Sequence, residues 1–270
     1  MNTRTTRLTS AAILACGFIA AQSRAATTTF DFSGTQYADN FTETANAGAI
    51  SNSGGAVVVN NVSSLAGIVT YNTPFPSANT DAFTLKIDGK FSTIPSSFGG
   101  DSFGFMTNIS GGTGYMAVFR IFTNGTSQAD FRLFEGTKTD GSGVGIQIGS
   151  TVVLNSASLA TTFASGTFYT FNLDVSVTQG SPNSISFTGS ILNATSGSVI
   201  GTFTTVSDST ATLGGTTVGL RVGTQGNVNN FTTVDNFQLI TSPVPEPSTY
   251  ALLGGLGALG LVLSQRRIRR

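Results

Sequence analysis

The chain has 270 residues, 13 Lys+Arg against 13 Asp+Glu, one Cys and no His, so its formal net charge is zero and only 10% of it is charged. With no surplus of base it is a poor ligand for nucleic acid, whose phosphates demand clustered Lys and Arg. The absence of His removes any imidazole base or metal ligand, and a lone Cys16 excludes an intrachain disulfide or a zinc-binding cysteine cluster.

The zero is an average over unlike parts. Residues 1–25 hold three Arg and no acid, residues 26–242 hold six Lys/Arg against twelve Asp/Glu, and residues 243–270 hold four Arg against Glu246. The balances are +3, −6 and +3, two basic ends around an acidic body. At the N-terminus, Arg4 and Arg7 precede a mostly apolar run from Leu8 to Ala21, and Ser23-Arg24-Ala25 offers a peptidase site. This is the pattern of a secretory signal peptide over 1–25, a helix that is removed. Ile13-Leu14-Ala15-Cys16 also resembles a lipoprotein box, although Leu14 is unusual there and the apolar run continues past the cysteine. Cleavage near Ala25 would leave a mature protein without cysteine, and its stability would rest on its core.

Residues 26–242 read as one all-β domain. Tyr169, Phe171, Leu173, Val175 and Val177 alternate with polar residues, the period of a half-buried strand. The same alternation runs through Phe83-Leu85-Ile87, Ile185-Phe187-Ile191 and Val218-Leu220-Val222, and Val144-Ile146-Ile148 and the last run, Val234–Ile240, add further strands. Gly114–Phe122 and Ala129–Phe134 form a hairpin turning at Asn124-Gly125, since that pair accepts the positive φ of tight turns. Helix is confined to a turn at Ala45–Ile50 and another at Ser156–Phe163. Short strands separated by Gly, Ser and Asn over this length predict a two-sheet antiparallel β-sandwich, with Phe, which has no polar atom to satisfy, forming most of the core.

Several segments of the body are similar to concanavalin-A-like or laminin-G-like jelly rolls. They are an opening Phe30-Asp31-Phe32-Ser33-Gly34, a central Gly166–Leu173, and a late Val218-Gly219-Leu220-Arg221 followed by Val234-Asp235-Asn236-Phe237. The resemblance implies paired first and last strands.

Chemistry is sparse in this body. Polysaccharide hydrolases need two neighbouring carboxylates, yet Glu43 and Glu135 are far apart in sequence, and Asp174 has Asn172 and Ser176 where a second acid would stand. A Ser nucleophile would lack a His base. Calcium accepts Asp, Asn and backbone oxygens, and Asp31, Asp235 and Asn236 are its candidate ligands if the terminal strands pair; the alternative is that these groups cap turns. Asp81, Asp88, Asp101 and Asp140 read as solvated loop acids. Tyr37, Tyr71 and Tyr115 are candidate sugar-stacking faces, or else partly buried strand residues. No other cofactor is expected.

At the C-terminus, Val244-Pro245-Glu246-Pro247-Ser248-Thr249-Tyr250 leads into Ala251–Leu263, built only from Ala, Leu, Gly and Val, and then into Arg266, Arg267, Arg269 and Arg270. The prolines enforce an extended spacer. The apolar run would make a transmembrane helix of about 20 Å, short for a membrane, with the arginines held on the cytoplasmic side. These three parts, in this order, resemble a PEP-CTERM sorting signal over 243–270; Tyr250 stands where Trp is usual. The resemblance implies that Val244, Pro245, Glu246 and Pro247 mark the processing region, that the arginine cluster retains the tail, and that an exosortase in the inner membrane processes it in a Gram-negative bacterium making exopolysaccharide. The protein is therefore expected at the cell surface or in the extracellular matrix, with a structural, non-enzymatic body. A lectin-like module acting on exopolysaccharide is the alternative, and a polysaccharide hydrolase the third reading.

Overall fold

Period-two alternation is the rule that builds this molecule, as its computed structural model shows for residues 26–45, 50–53, 55–59, 66–73, 82–96, 102–123, 125–178, 183–211, 215–223 and 232–241. The signal segment 1–25, the tail 243–270, Asn124, Asp81 and Asp101 lie outside these described residues, as does the core of the helical turn expected at Ala45–Ile50. In chain order come β1 (Ala26–Phe30), the helix α1 (Gln36–Asn40), β2 (Phe41–Ala45), β3 (Ile50–Ser53), β4 (Ala56–Val59) and β5 (Ala66–Tyr71). Next are β6 (Ala82–Phe91), β7 (Ser102–Ser110), β8 (Thr113–Thr123), β9 (Ser127–Lys138), β10 (Ile146–Leu154) and β11 (Phe168–Thr178). The last are β12 (Ser184–Asn193), β13 (Val199–Thr202), β14 (Val206–Asp208), β15 (Thr217–Gly223) and β16 (Thr232–Thr241).

Every strand pairing among the described residues is antiparallel, and the strands form two sheets. One has nine strands in the order β13-β12-β11-β6-β16-β4-β3, with β1 also on β16 and β14 also on β12. The other has seven, in the order β10-β9-β8-β7-β15-β5-β2. Ala25–Ser242 is one compact unit. The first and last strands pair, Ala26 opposite Thr241 through Phe30 opposite Phe237, as the jelly-roll resemblance implies.

Alternation carries directly into burial. Along β6 the side chains are buried at every second residue, and β12 repeats the pattern. The two inner faces meet over phenylalanine: Phe91 on Phe103 at 4.7 Å, Phe103 on Phe171 at 4.8 Å and Phe119 on Phe171 at 5.6 Å between ring centroids. Each buried ring contributes about 1.5–3 kcal/mol of transfer free energy, and edge-to-face packing adds to it. Glycines on the inner face of the nine-stranded sheet make room for rings from the other. A Cβ at Gly89 would lie 2.5 Å from the Phe103 ring, and one at Gly189 would lie 2.7 Å from Phe119 and 3.0 Å from Phe131. These glycines are sockets for the opposite rings.

Three local readings change. The strand expected through Val144-Ile146-Ile148 begins at Ile146, with Val144 and Ile146 exposed at 54% and 80%. It is the edge strand of its sheet and its register shifts between Ile148 and Val152, so Ile148 and Val152 pack only partly buried against the core and Leu154 is its one buried apolar residue. Ser156–Phe163 folds as turns without a helix, and the one short helix among the described residues is α1. Along β16 the inward residues are Val234, Phe237 and Leu239. A bulge after Asp235, with Asn236 at φ 51°, supplies the extra residue that this spacing requires.

Candidate functional site

The residues expected to hold calcium do come together. Pairing of β1 with β16 sets Asp31 beside Asp235 and Asn236, and pairing of β16 with β6 sets Asp235 directly opposite Asp88. Asp88 is thus a strand residue on β6 and not a solvated loop acid; the alternation of Thr84-Lys86-Asp88 with Phe83-Leu85-Ile87 already placed it on the outer face. Its two oxygens accept from Thr170 Oγ1 at 2.5 Å and from Asn236 Nδ2 at 2.9 Å. Asp235 Oδ1 accepts from the Asn236 backbone N–H at 2.7 Å, and Asp31 Oδ1 from that of Ser33 at 3.0 Å. Partial burial, then the nearby charges of Asp88 and Asp31, raise the Asp235 carboxyl above its usual range despite that backbone bond. Asp31 is lowered, chiefly by its bonds from Ser33.

This donor set does not fit a calcium ion. Asn236 turns its amide N–H toward Asp88, where a ligand would present oxygen, and the Asp88 and Asp235 carboxylates are engaged as acceptors. Among the described residues no three His, Cys, Asp or Glu side chains are grouped to hold a metal. The hydrogen bonds tie β6, β11 and β16 together across the outer face of the nine-stranded sheet. The same face continues at Asp174, which accepts from Thr84 Oγ1 at 2.6 Å and Asn172 Nδ2 at 2.9 Å.

The three tyrosines proposed as sugar platforms are core residues. Tyr37, Tyr71 and Tyr115 are 7%, 8% and 3% exposed. Tyr37 stacks on Phe41 and donates to Glu43 at 3.1 Å; Tyr71 packs against Phe30 and Phe41. Tyr115 donates to the buried Asp208 at 2.7 Å, joining the two sheets. Burial, then the neighbouring carboxylates, push the Tyr37 and Tyr115 phenols up, so both stay protonated. The expected hairpin arm Gly114–Phe122 placed Tyr115 on a strand but did not say which face was covered.

Nor do the body's two glutamates meet. Glu43 is on β2 and Glu135 on β9, five strand steps apart in the same sheet. At 4.7–4.9 Å per step that is about 24 Å, against the ~5–9.5 Å that paired glycosidase carboxylates span.

Sequence reasoning passed over the outer face of the seven-stranded sheet. Arg120 on β8, Arg132 on β9 and Arg221 on β15 all alternate with inward residues, so all three face outward. Arg120 pairs with the fully buried Asp130 through two hydrogen bonds, Nε to Oδ1 at 2.8 Å and Nη2 to Oδ2. Arg132 Nη2 lies 3.6 Å from the same Asp130 oxygen. Arg221 Nη1 donates to Ser102 Oγ at 2.9 Å, and desolvation lowers its pKa to about 10, leaving it charged at neutral pH. Met106, Met116, Ile68 and Val118, on the same side of the sheet, form a second buried apolar cluster.

No curated protein matches the sequence significantly. Among solved structures, the body is similar to the CBM2 module of the evolved Dit of Lactobacillus casei BL23 phage J-1, with a TM-score of 0.50, 12% identity and coverage of 82% of this chain and 98% of that one. The alginate lyase Aly36B gives 0.49 at 14% identity, covering 79% and 96%, and the potassium-bound Emp46p carbohydrate recognition domain gives 0.46 at 12%, covering 76% and 90%. At such identities the phage module speaks to fold alone, a two-sheet sandwich. Residues 243–267, beginning two residues after β16 ends, match the PEP-CTERM protein-sorting motif, so the chain carries an export-linked sorting tail on a jelly-roll body.

Proposed function

We propose that this chain is a surface or matrix protein of a Gram-negative bacterium whose β-sandwich body is exported, processed at its tail and displayed without catalytic activity. One observation carries the reading: the sorting motif of 243–267 follows directly on the strand that closes the sandwich. Residues 1–25 act as the signal peptide, 26–242 as the displayed body and 243–270 as the sorting signal. An exosortase recognises Val244, Pro245, Glu246 and Pro247, while Ala251–Leu263 holds the chain in the inner membrane and Arg266, Arg267, Arg269 and Arg270 retain the tail. Cleavage removes the basic C-terminus.

The body's residues support the absence of catalysis. The chain has no His, and its two body glutamates lie on separated strands. The facing Asp88 and Asp235 are bridged by Asn236. Replacing Pro245-Glu246-Pro247 by three alanines should leave an unprocessed, membrane-held form in a host with exosortase. Unchanged processing and release would refute the sorting role. Turnover of a matrix polysaccharide that is lost in Asp235→Asn would refute the non-catalytic role. The second reading, a body that binds glycan, is favoured by the arginine-bearing face of the seven-stranded sheet.

A further inference from the structure

Three arginines from three strands occupy one face of a body whose charge is otherwise acidic. Ser102 lies opposite Arg120 on one side and opposite Gly223 on the other, and Arg221 reaches into this row to donate to Ser102. Gly223 permits the approach. A Cβ there would lie 2.7 Å from Ser102 Oγ and 3.0 Å from Arg221 Nη1, so any side chain would displace the guanidinium. Val118 lies opposite Arg132 and Gly104, and Gly104 opposite Arg221. Arg132 and Arg221 therefore stand three strand steps apart, about 14 Å at the backbone.

The cations on this face outnumber its anion. Asp130 engages Arg120 and approaches Arg132, but the Arg132 Nε is buried without a hydrogen-bond partner, and among the described residues no carboxylate pairs with Arg221. A desolvated guanidinium donor left unmatched costs free energy that an incoming oxyanion would recover. Guanidinium groups also fit carboxylate and sulfate oxygens in a bidentate manner.

We infer that the outer face of β9 and β15 binds an acidic polysaccharide, with the part-exposed Arg132 and Arg221 taking its carboxylate or sulfate groups. A polymer suits the geometry, because Arg132 and Arg221 stand about 14 Å apart at the backbone and a single small anion could meet only one of them. Arg120 is a positioning residue, held by Asp130. The inference goes beyond the sorting reading and stands independently of it, since the test uses purified protein.

The test is affinity electrophoresis of the full chain in a non-ionic detergent, in gels containing polygalacturonate, dextran sulfate or neutral dextran. Retardation by at least one acidic polymer and none by dextran is expected, and the two acidic arms separate carboxylate from sulfate recognition. Arg132→Gln should weaken binding about tenfold or more, and Arg132→Gln with Arg221→Gln should abolish it. Lys86→Gln with Lys90→Gln, on the outer face of the other sheet, should leave it unchanged. Arg132 is partly exposed, so its single variant decides the matter even if Arg221→Gln fails to fold. Absence of retardation, full binding by Arg132→Gln, equal loss in the lysine variant, or preference for a DNA oligonucleotide over both acidic polymers would overturn the inference.

Discussion

Removing one oxygen from Tyr115 tests whether the two sheets are joined by a polar bond as well as by phenylalanine. Tyr115 belongs to β8 in the seven-stranded sheet and Asp208 to β14 in the nine-stranded sheet, and they meet at 2.7 Å with both side chains buried. Asp208 also accepts from the Thr210 backbone N–H at 2.8 Å and from its hydroxyl at 2.9 Å. Burial opposes ionisation of Asp208, but the bonds from Tyr115 and Thr210 outweigh it and hold the carboxyl below its usual range. Tyr115→Phe keeps the ring against Phe187, 5.2 Å away, and leaves one carboxylate oxygen unbonded. A hydrogen bond to a buried charge is worth about 1.5–3 kcal/mol, a fall in Tm of roughly 3–12 °C for a body of this size. The sign of the pH dependence follows from the lowered carboxyl. Its stabilisation is present above the unfolded value of about 3.9 and is lost as pH falls through the folded value. Urea unfolding of the full chain in detergent at pH 7 and near pH 3 should therefore show a penalty that shrinks in acid. A penalty below about 0.5 kcal/mol at pH 7, or one of equal size at both pH values, would refute the reasoning.

Two further outcomes follow from side-chain space and charge. Gly189→Ala should destabilise the body by about 1–3 kcal/mol, because its methyl group would meet Phe119 and Phe131 at 3.0 Å or less; urea unfolding would detect a neutral result. Asp235→Asn should stabilise the protein at neutral pH by less than about 1 kcal/mol, since the site is partly exposed. The raised carboxyl sets the sign: burial and repulsion from Asp88 and Asp31 oppose its charge, so its contribution is full below the unfolded pKa and lost as pH rises through the folded one. Melting curves of wild type and variant should diverge above about pH 4 and coincide below it.

Strand content was legible in the sequence because period-two alternation is local and each inward residue carries its own apolar area. Even the bulge at Asn236 leaves a trace, since Val234 and Phe237 are three apart and a regular strand cannot bury both on one face. What alternation cannot give is pairing. Ser102 and Arg221 meet across 119 residues of sequence, and nothing within either segment names the other. Tyr115 was ambiguous for the same reason: its partner, Asp208, is 93 residues away, and whether a ring is a platform or a core residue depends on the sheet that covers it. The candidate calcium ligands were brought together correctly through the expected pairing of the terminal strands, yet their donor chemistry was decided by an amide orientation that no sequence pattern encodes.

The division of charge between the two outer faces shows why the body's balance of −6 is a poor guide to its contacts. Asp88, Asp174 and Asp235 lie with Lys86 and Lys90 on the nine-stranded sheet, while Arg120, Arg132 and Arg221 lie with Asp130 on the other. Charges more than about 8 Å apart are largely screened at physiological ionic strength, so a polymer at the arginine face meets local cations more strongly than the distant acids across the sandwich. Low salt would extend the reach of those acids and of the arginines together. Acidic polysaccharide binding through Arg132 and Arg221 should therefore pass through a broad optimum in salt, weakening at high ionic strength as the contacts are screened and losing its long-range approach at low ionic strength as the acidic body repels the chain. A monotonic rise in affinity down to the lowest salt would mean that the local cations dominate at every range, and that the net charge of the body has no part in selecting its ligand.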